Sequence, residues 1–323
     1  MKHPTFRILA AAALAFTALA ASAAYPDRPI KVIVFLPPGS GPDNLARVIG
    51  AELAKTLQQP VVVENRPGAS GGIALGALAK SPADGYTLGV VASGPMAINV
   101  GLIKDLPYDP RKDFTAISEV ATSPNVLVVG NALGVNSVAE LAARGRAHKQ
   151  ALTYSSGGSG TVVHLAGAQF SFLTDIDARH IPYKGTPQGI VPVITGEVSY
   201  GVYPVPNVAS LATEGKLKAL AVTSAQRSAQ LPDVPTTREA GFPNYTPSVT
   251  YGVIGPARLP PEVVARLHAA IVSALGDATV KASLTRQGFE VGASPAPENY
   301  RRKIAAEIDQ WVPIVQRVGA QVD

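Results

Sequence analysis

The chain contains no cysteine. That excludes disulfides, thiolate nucleophiles, iron–sulfur clusters and cysteine–zinc sites. It leaves the redox compartment open, because a large core can dispense with disulfides. Charge is also scarce: 16% of the 323 residues are charged, and the net charge is +5. Lys2 and Arg7 fall in the first 24 residues, which hold no acid, so the remainder carries only +3. That is too weak for nucleic acid, which asks for a clustered basic stripe. The densest run, Arg301-Arg302-Lys303, suits a solvated helix face. His148, His164, His180 and His268 show no H-x-x-x-H or H-E-x-x-H spacing, so no metal is expected. There is no Walker A loop, and Gly39-Ser40-Gly41 lacks the third glycine of a dinucleotide loop. No cofactor is expected either. Beyond residue 24 no stretch of 18 apolar residues occurs, so no spanning helix is predicted.

What is present is apolar mass and turns. Hydrophobic residues make up 46% of the chain, enough for a real core and too many for disorder. The length suggests roughly two domains. The 30 glycines and 28 prolines sit in short clusters between apolar runs, as in an ordered fold with many turns. Residues 1–24 have the three-part layout of a secretory signal: two positive charges, an apolar core from Ile8 to Leu19, and the small residues Ala21-Ser22-Ala23. The core is short of the about 20 residues a transmembrane helix needs, although an uncleaved anchor is the rival. The leader predicts export, in a bacterial style that implies the periplasm.

Strands and helices alternate. Ile30 to Leu36 is a continuous apolar run, read as a buried strand. Pro37 to Pro42 breaks it, and Asp43 is placed to cap a helix with Leu45, Val48, Ile49, Leu53 and Leu57 on one face. Further strands are predicted at 61–63, 86–92, 125–129, 153–156, 178–181, 198–202, 219–223 and 249–255. Helices are predicted at 73–80, 138–146, 162–172 and 261–275. Another carries Tyr300, Ile304, Ile308 and Trp311 and is kinked or ended at Pro313. This is an α/β pattern. Ser123-Pro124 and Pro243 to Pro247 are candidate crossovers. They divide the chain into one lobe of residues 25–123 and 247–323 and a second of 124–246, with a ligand cleft between them.

Three glycine- or serine-rich loops, 37–43, 93–95 and 155–161, precede helices or turns. Helix N-termini offer free N–H groups to an anion, and glycine permits close approach. Apart from Asp43 these loops lack charge, which suits a small carboxylate held reversibly by neutral donors. Ordinary strand–helix turns are the plainer reading. His164, one turn into its helix, either faces the same opening or packs inward. Gly68-Ala69-Ser70-Gly71-Gly72 formally fits a G-x-S-x-G nucleophile elbow. Asn65-Arg66-Pro67 separates it from its strand, and no histidine is singled out as base. An exported serine hydrolase built on Ser70 is therefore an alternative with little support.

These segments, in this order, resemble one family. They include Tyr25-Pro-Asp-Arg-Pro-Ile30, Phe35-Leu-Pro-Pro-Gly39, Val63-Glu-Asn-Arg-Pro-Gly68, Ala83-Asp-Gly-Tyr-Thr-Leu88 and Leu106-Pro-Tyr-Asp-Pro110. Gly160-Thr161 with His164-Leu-Ala-Gly167, His180-Ile-Pro-Tyr-Lys-Gly185, Ala219-Leu-Ala-Val-Thr-Ser224 and Leu231-Pro-Asp-Val-Pro-Thr236 continue the set. The chain resembles substrate-binding proteins of the tripartite tricarboxylate transporter type, the Bug family of periplasmic receptors.

The resemblance implies a type II periplasmic-binding-protein fold: two α/β lobes, two crossovers and a cleft that closes on ligand. It implies a receptor that hands a small organic acid to membrane transporter subunits; a monomer without catalytic residues is expected. A ligand-sensing partner of a signalling system would use the same cleft. By resemblance one carboxylate is held at Pro38, Gly39, Ser40, Gly41 and Asp43, and at Ser156, Gly157, Gly160 and Thr161. Ser93, Asn99, His164 and Tyr183 fall where the family places side chains near the cleft. Departures concern specificity. Pro42 removes an N–H from the first loop. Tyr203 stands where an aspartate is common, which disfavours amino acids. A frequent tryptophan is replaced near Thr250-Tyr251. Tyr203 and Tyr251 would suit an apolar or aromatic carboxylate.

Overall fold

A computed structural model describes residues 25–147 and 152–320. The expected leader and His148 lie outside the described residues. The first half of the chain builds a parallel unit. Strand β1 (Ile30–Val34) lies between β2 (Val61–Asn65) and β3 (Thr87–Ala92), parallel to both. Four of its five residues are buried, and the one exposed side chain, Lys31, pairs with Glu64 at 2.9 Å. Helix α1 (Gly41–Leu57) follows β1 and α2 (Gly72–Ala79) follows β2. A π-turn (Gly94–Ile98) and the short α3 (Asn99–Leu102) follow β3. The apolar face predicted for α1 is the one that packs: Leu45, Ile49, Leu53 and Leu57 are buried and Val48 adjoins the core.

Strand β4 (Phe114–Val129) is longer than the 125–129 segment predicted and runs straight through Ser123-Pro124. Residues 114–124 pair antiparallel with β9 (Ser248–Pro256). The remaining five pair with β7 (Tyr200–Pro204), and residues 126–129 also with β8 (Lys218–Val222). Pro124 sits at the last register with β9, where the neighbours change and its missing N–H breaks no ladder. One strand thus carries the chain from one lobe to the other, and β9 carries it back.

The middle segment forms the second lobe. It comprises α4 (Val138–Ala147), β5 (Leu152–Ser156), α5 (Val162–Thr174), β6 (Ala178–Pro182), α6 (Thr186–Thr195), β7, α7 (Val205–Thr213) and β8. Strands β6, β5 and β7 are parallel, and β4 joins them antiparallel. The chain then returns through β9 to α8 (Pro261–Gly276), α9 (Ala278–Arg286), the two-residue β10 (Glu290–Val291) and α10 (Pro297–Val318). The sequence patterning did not show α6, α7, α9 or β10. Helix α10 buries Tyr300, Ile304, Ile308 and Trp311 as expected. It neither ends nor breaks at Pro313 but continues to Val318. This is the two-lobed α/β architecture of a type II periplasmic binding protein.

The crossing point is tied by a buried polar knot. The Asn125 N–H donates to Thr223 Oγ1 at 2.9 Å, and the Thr223 N–H to the Asn125 carbonyl at 2.8 Å. Both Asn125 Nδ2 and Thr223 Oγ1 donate to the Pro247 carbonyl, at 2.9 and 2.8 Å. The two crossovers and the end of β8 are therefore fastened to one another, although the Asn125 Oδ1 is buried without a partner among the described residues.

Candidate functional site

The first loop leaves β1 at Phe35 and enters α1. The N-cap of α1 is Ser40, not Asp43, and its side chain caps nothing. Asp43 lies in the first helical turn and reaches back, accepting from the Gly39 N–H at 2.8 Å. It also accepts from Arg47 Nε at 3.0 Å and Asn65 Nδ2 at 2.9 Å, and it is 1% exposed. The hydrogen bond from Arg47 holds its carboxyl below the usual range. Asp43 thus braces its own loop and keeps no lone oxygen for solvent. Pro38 and Gly39 are exposed, while Ser40 and Gly41 are half-buried. The Gly41 and Asp43 N–H groups find no acceptor among the described residues. The Ser40 hydroxyl is buried without a partner. Beside Gly41 stand Tyr251 and Phe289, packed edge to face at 5.4 Å.

The loop after β5 is braced differently. The Ser156 hydroxyl accepts from the Gly158 N–H at 3.1 Å and contacts His180 Nε2 at 2.7 Å. His164 Nδ1 accepts from the Gly160 N–H at 3.0 Å. Thr161 is the N-cap of α5, its hydroxyl taking the His164 N–H at 3.2 Å. The two imidazoles stack with centroids 3.8 Å apart, and Tyr154 stacks against both. Burial pushes His164 down to about 4. Burial, and then the neighbouring His164, push His180 to about 3. Both are neutral at ordinary pH, and His164 packs inward as a brace. Because Gly160 is committed to His164, the N–H groups left free among the described residues are those of Gly157, Ser159, Val162 and Val163.

The remaining expected residues fall around these loops. Ser93, 1% exposed, ends β3 and accepts from the Thr250 N–H at 2.8 Å, next to Tyr251. Asn99 is buried, and its amide donates to the Ser70 carbonyl at 2.9 Å, so it holds a neighbouring turn. A side chain on Gly160 would meet Leu102 of α3, which puts the second lobe's loop against the first lobe. Tyr183 is half-buried, and its N–H donates to the Ser156 carbonyl at 3.0 Å. Tyr203 is fully buried, with its hydroxyl 2.6 Å from Ser155 Oγ. Ser70 is exposed in a left-handed turn (φ 50°) and makes no hydrogen bond to a histidine among the described residues. His180 was not among the site residues expected from sequence. Its sign was its place in the His180-Ile-Pro-Tyr-Lys-Gly185 segment, one strand away from Ser156.

Two α/β lobes joined by two crossing strands, with uncharged loops at the strand ends, define a two-lobed solute receptor. Residues 45–320 match the model of the tripartite tricarboxylate transporter family receptor. The protein BugT of Bordetella pertussis is 36% identical over 302 residues, 92% of this chain and 91% of that protein. A structure of an R. palustris protein with adipate is 32% identical and superposes with a TM-score of 0.75 over 92% of this chain and all of that one. MatC of Rhodopseudomonas palustris, solved with bound malate, is also 32% identical, with a TM-score of 0.71 over 90% of this chain and all of that one. The chain belongs to the tripartite tricarboxylate transporter receptor family, as one of its Bug-type solute-binding receptors.

Proposed function

We propose that the protein captures a small organic carboxylate between its lobes and delivers it to the membrane subunits of a tripartite tricarboxylate transporter. The observation that carries this reading is the set of free backbone donors. Gly41 and Asp43 at the start of α1, and Ser159, Val162 and Val163 at the start of α5, offer N–H groups without acceptors among the described residues. No lysine or arginine belongs to either loop. Helix N-termini bind anions through such donors, and a site without a fixed cation releases its ligand readily. The adipate and malate held by the two R. palustris proteins agree with a carboxylate.

The lobes are residues 25–123 with 247–323, and residues 124–246. They hinge at the Asn125–Thr223–Pro247 knot, so that a ligand bridging the two loops draws them together. Ser93 and Tyr251 line the floor, and Tyr251 offers a ring and a free hydroxyl to the body of the ligand. Pro38, Gly39, Ser40, Ser156, Gly157, Gly160 and Thr161 shape the two loops, while Asp43, His164 and Tyr203 hold them from behind and Asn99 holds the neighbouring turn at Ser70. Tyr183 stands at the edge of the second loop. The receptor works in the periplasm as a monomer, exported by a leader over residues 1–24, and catalyses nothing.

The test is thermal unfolding of ligand-stripped protein against mono- and dicarboxylates, including adipate, malate and benzoate. A ligand at a hundredfold excess over Kd stabilises the fold by about 2.7 kcal/mol. A saturable shift with one or more acids is expected. A panel without any response would overturn the reading.

A further inference from the structure

A cavity of about 350 Å³ lies beside the crossing strands. It includes none of residues 37–43, 93–99 or 156–161. Thr122, Glu290, Lys303 and Glu307 line it together with Ser224 and Arg238. The first group comes from β4, β10 and α10, the second from the segment between β8 and β9. A small molecule in this cavity would therefore touch both lobes at once.

The chemistry of the walls is specific. Lys303 is already neutralised by Glu119 at 2.6 Å. Glu290 accepts one hydrogen bond, from Thr122 Oγ1 at 3.2 Å. Glu307 accepts from Thr250 Oγ1, and loss of hydration raises its carboxyl above the usual range. A cation placed here would restore what burial removes. A metal is a poor occupant: among the described residues no three histidine or carboxylate side chains converge as ligands. An ammonium group needs only the two carboxyls. From the segment between β8 and β9, Arg238 joins the same lining and makes no ion pair among the described residues; its neighbour Glu239 is held by Arg227 at 3.0 Å. A guanidinium with free donors takes a carboxylate. Ser224 is 7% exposed, and its hydroxyl has no partner among the described residues.

We propose that this cavity is a second binding site, for a free α-amino acid, whose ammonium meets Glu290 and Glu307 and whose carboxylate meets Arg238 and the Ser224 hydroxyl. Both charges of the zwitterion find an opposite charge, and both lobes are bridged. The site also reaches the ligand cleft. Glu307 holds Thr250, whose N–H donates to Ser93 Oγ. This coupling, though not the site itself, rests on the proposed carboxylate function.

The experiment is titration calorimetry of the full chain with glycine, L-serine and L-glutamine as separate probes, each repeated with adipate present. We expect one-to-one binding of at least one probe that persists in adipate. Arg238→Ala and Glu290→Gln, both at exposed positions, should each weaken it tenfold or more, and Glu307→Gln should do the same. No heat with any of the probes overturns the proposal. So does binding that all three variants retain, or binding that adipate displaces one for one. The readout needs no carboxylate ligand, so failure of the carboxylate panel would leave it intact.

Discussion

The loop after β1 and the loop after β5 offer the same thing, free N–H groups at a helix start, but they are held rigid by opposite means. The first is fixed by charge: an almost wholly buried carboxylate, Asp43, gathers donors from Gly39, Arg47 and Asn65. The second is fixed by neutral rings: His164 takes the Gly160 N–H, and His180 engages Ser156. In both, the titratable groups point back into the loop. The surface left for a ligand is therefore uncharged backbone, and polarity comes from preorganised dipoles. The difference lies in what breaks each loop. An anion with a low pKa endures acid, whereas buried neutral imidazoles do not.

The largest expected effect is on the first loop. Asp43→Ala leaves the Asn65 amide with the Leu36 carbonyl alone, releases the Gly39 N–H and removes the Arg47 contact. Hydrogen bonds to a charged group are worth about 1.5–3 kcal/mol each, so the loss should reach roughly 3–4 kcal/mol. Urea unfolding measures it, and a loss below 1 kcal/mol would show that Asp43 is not the brace. Carboxylate affinity should fall with it.

Acid comes next and singles out the second loop. His164 and His180 have folded values of about 4 and about 3. The unfolded chain takes up protons below pH about 6.5, and the folded chain refuses them. Stability is therefore complete above pH about 6.5 and falls as the pH drops toward 4, by on the order of 3 kcal/mol from His164. Asp43 follows the same sign lower on the scale. Its lowered value keeps its contribution present above the ordinary carboxylate range, and the contribution is lost as the pH falls below that range through the depressed value. A stability profile from pH 8 to 4 should slope in the native chain and flatten in His164→Gln/His180→Gln. An equal slope in both would remove the histidines from the account.

Much of this architecture is legible in the residues. The buried run Ile30–Val34, the face of α1 and the stripe along α10 are simple periodic patterns, and they packed as expected. Resemblance placed the loops in their order. Local pattern failed where tertiary contacts decide. Ser123-Pro124 is the crossover expected, but the strand does not begin after it: pairing with β9 extends β4 back to Phe114. Of the kink or end expected at Pro313, the end does not occur: Trp311 and Val315 are buried on either side and the helix continues to Val318. Asp43 has the composition of an N-cap, but the helix starts two residues earlier, and the same carboxylate bonds backwards. Whether His164 faced the opening or packed inward depended on its stack with His180, one strand away, and no spacing records that.

The glycines of the two loops make a smaller, sharper contrast. Gly39 has φ +80° and empty space where a side chain would sit. Gly39→Ala should cost about 1 kcal/mol from backbone conformation alone. Gly157 has no such angle, but a Cβ there would lie 2.7 Å from the Thr186 nitrogen and 2.9 Å from the Gly185 carbonyl carbon. Gly157→Ala must push the β6–α6 turn aside, at roughly 2 kcal/mol. If the two substitutions cost the same, the second loop is looser than its contacts imply.

The smallest effects separate two tyrosines that the sequence treats alike. The Tyr203 hydroxyl is buried against Ser155, whereas Tyr251 stands beside Gly41 with no partner for its hydroxyl among the described residues. Burial pushes the Tyr251 phenol to about 12, so it is a donor throughout the physiological range. Tyr203→Phe leaves Ser155 unpaired and should cost about 1 kcal/mol of stability, with carboxylate affinity unchanged. Tyr251→Phe should leave stability nearly unchanged and weaken carboxylate binding about fivefold, the worth of one hydrogen bond. The reverse result would mean that a ligand reaches Tyr203 only by displacing Ser155, and that the second loop opens before it binds.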